Sequence, residues 1–113
     1  MVLTVSDRTF SQEVLESSTP VLVHFWAPWC GLCRIINPLL MRFQSDWGAK
    51  VKLVGINADQ SLKLANTYRL TTLPTIILFE NGKVVHRLEG FNGREDLLRA
   101  LENTMVTSLQ TSA

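Results

Sequence analysis

Residues 21–27, Val-Leu-Val-His-Phe-Trp-Ala, make an apolar run of strand length that is closed by Pro28. A strand with one wet face alternates apolar and polar residues, whereas a run without alternation belongs in a sheet covered on both sides. The rest of the chain must therefore supply helices for two faces. Immediately after the run come Cys30 and Cys33, the only two cysteines of the chain. Ile35, Ile36, Leu39, Leu40 and Phe43 then repeat at helical spacing. Pro38 falls inside that helix, where it removes a backbone donor and predicts a kink, and Trp47-Gly48 marks its end.

The flanking segments fit the same plan. Val2–Val5 can form a short strand, and Ser6 with Asp7 opens a helix carrying Phe10, Val14 and Leu15. Residues 51–57 read as a strand. Asp59 and Ser61 offer caps for a short helix through Leu62, Leu64, Ala65 and Tyr68. Asn81-Gly82 between residues 75–80 and 83–89 is a strong hairpin signal, because a two-residue turn needs positive φ at both positions. Asn92 with Glu95 resembles a capping box for a last helix with Leu97, Leu98 and Leu101, and residues 105–113 read as a frayed tail.

The expected order is β-α-β-α-β-α-β-β-α: an α/β fold with a mixed sheet of about five strands flanked by four helices. Helix-linked strands favour parallel pairing, and the late hairpin adds antiparallel edge strands. With 113 residues, no repeat and no linker, residues 1–113 are expected to form one domain. A mean hydropathy of +0.13 leaves ample core material. A net charge of +1 offers no footprint for nucleic acid. The first ten residues lack a secretory pattern and no segment approaches the roughly 20 apolar residues of a membrane helix, so a cytoplasmic chain with no membrane partner is expected.

Three readings of the cysteine pair compete. As a staple, a Cys-x-x-Cys bridge closes a loop too small to restrict the unfolded chain much. As a metal site the pair is half a ligand set, since the two histidines, His24 and His86, fall on separate strands, so no metal is expected. The redox reading has positive support. Cys30 lies where strand gives way to helix, beside unpaired N–H groups and the positive dipole end that favour thiolate. Cys33, one turn on, is close enough for a small disulfide ring but less accessible. That asymmetry makes Cys30 the nucleophile and Cys33 the resolving thiol.

Phe25–Arg34 (FWAPWCGLCR), Thr72-Leu73-Pro74-Thr75, Phe79–Lys83 (FENGK) and Gly90, in this order along nearly the whole chain, resemble the thioredoxin family. The resemblance implies a disulfide reductase whose redox centre is the Cys30–Cys33 dithiol/disulfide, with no other cofactor. Its implied partners are disulfide-bearing target proteins and a thioredoxin reductase drawing on NADPH or ferredoxin, and the chain is expected to be a monomer. Pro74 matches the family's cis-proline, which sets the backbone of Leu73 beside the cysteines. Trp29, Gly31, Leu32, Gly90 and Phe91 would line the surface on which targets dock.

Three positions depart from the family pattern. Leu32 replaces a proline within the motif, restoring an N–H and lifting a φ restraint. His24 stands where a buried Asp is usual, and Gly55 where Lys is usual. His24 is either a proton relay for Cys33 or a core histidine bonded to backbone. His86 reads as a partly buried residue sharing a face with Val84 and Leu88, and Arg34 and Lys83 as solvated charges. An oxidase or isomerase, and a noncatalytic interaction module, are the alternative functions on the same fold.

Overall fold

The computed structural model describes residues 3–91 and 93–110, with side chains through Thr104. Five strands form one sheet: β1 (Leu3–Thr4), β2 (Val21–Trp26), β3 (Lys52–Asn57), β4 (Thr75–Glu80) and β5 (Lys83–Leu88), in the spatial order β1-β3-β2-β4-β5. Three helices accompany them: α1 (Gly31–Trp47), α2 (Leu62–Thr67) and α3 (Arg94–Gln110). The expected first helix is reduced to a short segment, Ser11–Leu15, closed by an i→i+5 bond from Glu16 N to Ser11 O. Ser6 does open this wound stretch, its hydroxyl accepting the Arg8 N–H.

Side-chain alternation along β2 explains why the run lacks polar residues. Val21, Val23 and Phe25 enter one core with Phe10, Val14 and Leu64, while Leu22 enters the other with Ile36, Leu40, Leu97 and Leu101. The first layer lies under α2 and the Ser11–Leu15 segment, the second under α1 and α3. His24 shares its parity with Leu22 and so points to the α1 side.

Connection length sets strand direction. The 17 residues of α1 rise about 25 Å, enough to carry the chain back along a strand, and β3 accordingly runs parallel to β2. The six residues of α2 rise only about 9 Å, less than half the span of a six-residue strand. The chain therefore re-enters the sheet at the end where it left, and β4 runs antiparallel to β2. This corrects the parallel pairing expected of helix-linked strands, and it makes β4 an interior strand, with β5 alone at that edge.

Asn81 and Gly82 both take positive φ, 53° and 78°, as a two-residue hairpin requires. A bulge in β5 sets Phe79 opposite Val84 and Leu78 opposite His86, leaving Val85 as the extra residue. The expected common face is broken there: His86 and Leu88 are half-buried, but Val84 is exposed. α1 continues as one helix through Pro38 and ends at Gly48, φ 59°. α3 extends to Gln110, so residues 105–110 are helical where a frayed tail was expected. Asn92, half of the expected capping box, lies outside the described residues. Among the described residues no helix is long and apolar enough to cross a membrane.

Candidate active site

The directions of the strands gather the site at one end of the sheet. β2 and β3 end there, at Trp26 and Asn57; β4 begins there, with Thr75 opposite Phe25; and β5 ends there, with Leu88 opposite Ile76. The loops that leave this edge carry Trp29-Cys30, Asp59, Leu73-Pro74 and Gly90-Phe91. Every candidate except His24 thus sits at one rim because of register, whatever its distance in sequence.

Cys30 occupies the N-cap of α1, with φ −86° and ψ 102°, and is bonded to Cys33. Its N–H donates to Ala27 O at 3.0 Å, and its Sγ accepts the Cys33 N–H at 3.1 Å. The sulfur thus takes the place of a capping oxygen, at the positive end of the dipole of a 17-residue helix. A negative charge formed on Cys30 Sγ meets donors already in place. Open space surrounds the position where a side chain at Gly31 would begin. The two cysteines do not differ in overall exposure as expected, being 5% and 3% accessible. What separates them is surroundings: Cys30 follows the exposed Trp29, and Cys33 lines a cavity with His24.

Trp29 is 69% exposed, and its indole N–H donates to Asp59 Oδ2 at 3.0 Å. The ring is held in place while most of its surface stays in water, an arrangement suited to contact with another chain. The Leu73–Pro74 bond is cis. The Thr75 hydroxyl donates to Thr72 O at 2.7 Å, and Leu73 is half-buried against the first core. Gly90 takes φ 71° with free space around it, a conformation that suits glycine. Phe91 turns inward to pack on the second core. Leu32 also packs, half-buried, against the second core.

Behind the disulfide lies a cavity of about 250 Å³, lined by Thr4, His24 and Gly55 of the sheet and by Cys33, Arg34 and Asn37 of α1. His24 pairs with Gly55 and Ile76 across the sheet, is 3% exposed, and its Nε2 has no hydrogen-bond partner among the described residues. Burial lowers the His24 pKa from 6.5 to about 4, which leaves the ring neutral near pH 7. The lining is mostly apolar, with His24, Arg34 and Asn37 among its polar residues, and the volume has room for several waters at about 30 Å³ each.

Two contacts escaped the sequence reading. Arg34, taken as a solvated charge, donates from Nη2 to Pro28 O at 2.8 Å and so ties α1 to the loop carrying Trp29. Asp59, taken only as a helix cap, holds the Trp29 indole. Arg34 lies four residues past Cys30 on the same helix, so helical reach alone could have brought it to the motif; no local signal marks Asp59. Among the described residues no three His, Cys, Asp or Glu side chains gather as a metal-binding group.

Comparison with known proteins gives this geometry a family. The thioredoxin family model matches residues 1–103. Thioredoxin 1 of Nostoc sp. is 40% identical over 98 residues, covering 87% of this chain and 92% of that one. Thioredoxin of Rickettsia bellii is 34% identical over 105 residues, 93% of this chain and all of the relative. The chloroplastic thioredoxin M-type of Chlamydomonas reinhardtii is 42% identical over 98 residues, 87% of this chain and 70% of that one. Likeness of this extent covers the whole rim and the sheet beneath it, not the cysteine pair alone. The chain belongs to the thioredoxin family, and Cys30 and Cys33 equip it as a thiol–disulfide oxidoreductase.

Proposed function

We propose that the chain works as a cytoplasmic, single-domain monomer that reduces disulfides in target proteins, with Cys30 attacking and Cys33 resolving. The observation that carries the order is the N-cap position of Cys30, whose sulfur already accepts a backbone N–H. The Cys30 thiolate attacks one sulfur of the target disulfide; a Cys30–target bond forms and the other target sulfur leaves as thiolate. Cys33 then gives up its proton and attacks Cys30 Sγ, re-forming the Cys30–Cys33 bond and releasing the second target sulfur. Two electrons pass to the target, and both target thiolates take up protons.

His24 is the base for the second step, taking the Cys33 proton directly or through cavity water. Support comes from its neutrality and from the cavity it shares with Cys33. Trp29, Gly31, Leu32, Leu73, Pro74, Gly90 and Phe91 form the seat for an extended target segment. A thioredoxin reductase, drawing on NADPH or ferredoxin, returns the two electrons. A pair that must cycle through the dithiol suits a reducing compartment.

The test is a trap. Incubated with insulin or a cell extract, the Cys33→Ser protein accumulates covalent adducts and the Cys30→Ser protein forms none. Adducts on Cys30→Ser alone reverse the assignment. Insulin reduction that survives loss of Cys30 makes the chain a binding module.

A further inference from the structure

α2 ends at Tyr68, and Arg69 follows in the left-handed region at φ 50°. Two backbone bonds close this end, from Arg69 N to Asn66 O at 3.2 Å and from Leu70 N to Ala65 O at 3.0 Å. In such a helix stop the left-handed position is usually glycine; an arginine adopts it at some cost. The two bonds leave the carbonyls of Tyr68 and Arg69 still in need of donors.

One side chain from the edge strand supplies both. The Arg87 guanidinium of β5 donates from Nη1 to Tyr68 O and from Nη2 to Arg69 O, the latter at 3.0 Å. Its Nε and Nη2 also donate to the Glu89 carboxylate, at 3.3 Å each. A planar fork of five N–H donors can serve this set at once, and an ammonium cannot. Position in the chain gives the contacts their meaning. Arg69 leads straight into Leu70–Pro74, and Glu89 straight into Gly90-Phe91. A single guanidinium therefore ties together the roots of the two segments that flank the disulfide on the β4–β5 side. Cys30, Cys33 and His24 are not among its partners.

We infer that Arg87 is a positioning residue for polypeptide substrates: it fixes the spacing between the Leu70–Pro74 and Gly90–Phe91 segments, and so the seat for an extended target chain, without acting on the sulfur chemistry. The inference rests on the dithiol–disulfide reading above. It separates two classes of substrate. A protein disulfide needs both segments, whereas a small aromatic disulfide such as dithionitrobenzoate needs little beyond Cys30.

Arg87→Gln and Arg87→Lys are to be compared with the natural protein in insulin reduction, dithionitrobenzoate reduction and equilibration with glutathione. The expected result is a rise in KM for insulin of about fivefold in both variants, as charged hydrogen bonds to the segment root are lost. The kcat, the dithionitrobenzoate rate and the redox equilibrium stay within about twofold, the range of a distant surface change. Lysine keeps the charge without the fork, so full rescue by Arg87→Lys overturns the role of the fork. An unchanged insulin KM overturns the inference, as does a parallel fall in both activities, which marks a general loss of structure. Glu89→Gln gives the same test should the Arg87 variants fail to fold: it leaves the guanidinium on the two carbonyls, weakens only the tie toward Gly90, and is expected to raise KM by about threefold, outside the roughly twofold range of a distant surface change. No change there overturns the link between the segments. A natural protein inactive on both substrates overturns the reductase reading itself, independently of Arg87.

Discussion

His24 is neutral near pH 7, so in the proposed mechanism it can accept the Cys33 proton without first giving one up. General-base catalysis is typically worth about 10² to 10⁴, but cavity water can substitute in part, so His24→Leu is expected to slow the resolving step about tenfold. The measurement is the rate at which Cys33 resolves a preformed Cys30 mixed disulfide between about pH 6 and 8. An unchanged rate and pH profile in a folded variant reduces His24 to packing. Leu32 is the second residue whose chemistry departs from the family's. Its side chain packs on the second core, and its backbone regains an N–H. That N–H lies in the first turn of α1, where it favours thiolate over disulfide. The natural protein is expected to be measurably less reducing than Leu32→Pro, and equal glutathione equilibria discard Leu32 as a tuning residue. At this scale Cys30 and Cys33 were legible because motif and strand–helix junction coincide. The Trp29–Asp59 pair was not, since 30 positions separate the partners and only strand register joins them.

Elements were legible where sequence and neighbours ask for the same thing, and illegible where a distant residue intervenes. Asn81-Gly82 demands a hairpin locally, yet Gly82 meets a second constraint from far away: a Cβ there would lie 2.9 Å from Leu15 O, at the end of the Ser11–Leu15 segment. Gly82→Ala combines that overlap with a left-handed φ, so a loss of about 2–3 kcal/mol is expected in urea unfolding. Gly31→Ala, with open space and no such φ, should change stability by less than about 0.5 kcal/mol. Equal effects at the two sites would remove the backbone contact as the cause. α2 shows the same limit of local reading. Ser61 holds its N-cap position but makes no side-chain cap; the carboxylate of Asp7, 57 positions away, accepts the Leu64 N–H at 3.2 Å instead.

Over the whole molecule, the two-sided core followed from the apolar run at 21–27, but the direction of β4 did not. Direction depends on the length of α2 measured against a strand, a comparison that periodicity does not make. The site was legible as a set of residues and not as a place, because its rim exists only once β4 is reversed. His24 is where site and global stability meet. Its pKa is held at about 4 by burial, whereas the unfolded chain binds that proton near 6.5. Between these values the unfolded state carries more protons, so native stability is complete above about pH 6.5 and falls as pH drops toward 4. The difference amounts to about 3 kcal/mol, an order-of-magnitude figure for a buried imidazole. The groups that face it reinforce the sign: Arg34 lines the same cavity and opposes a second cation, and Cys33 in the disulfide does not titrate. Urea unfolding of the oxidised protein at pH 7 and pH 4.5 should therefore show a steeper acid loss than in His24→Leu, because the carboxylates contribute alike to both proteins. Identical acid losses would mean that His24 is hydrated and titrates near its ordinary value in the native state, and burial would no longer be what sets its charge.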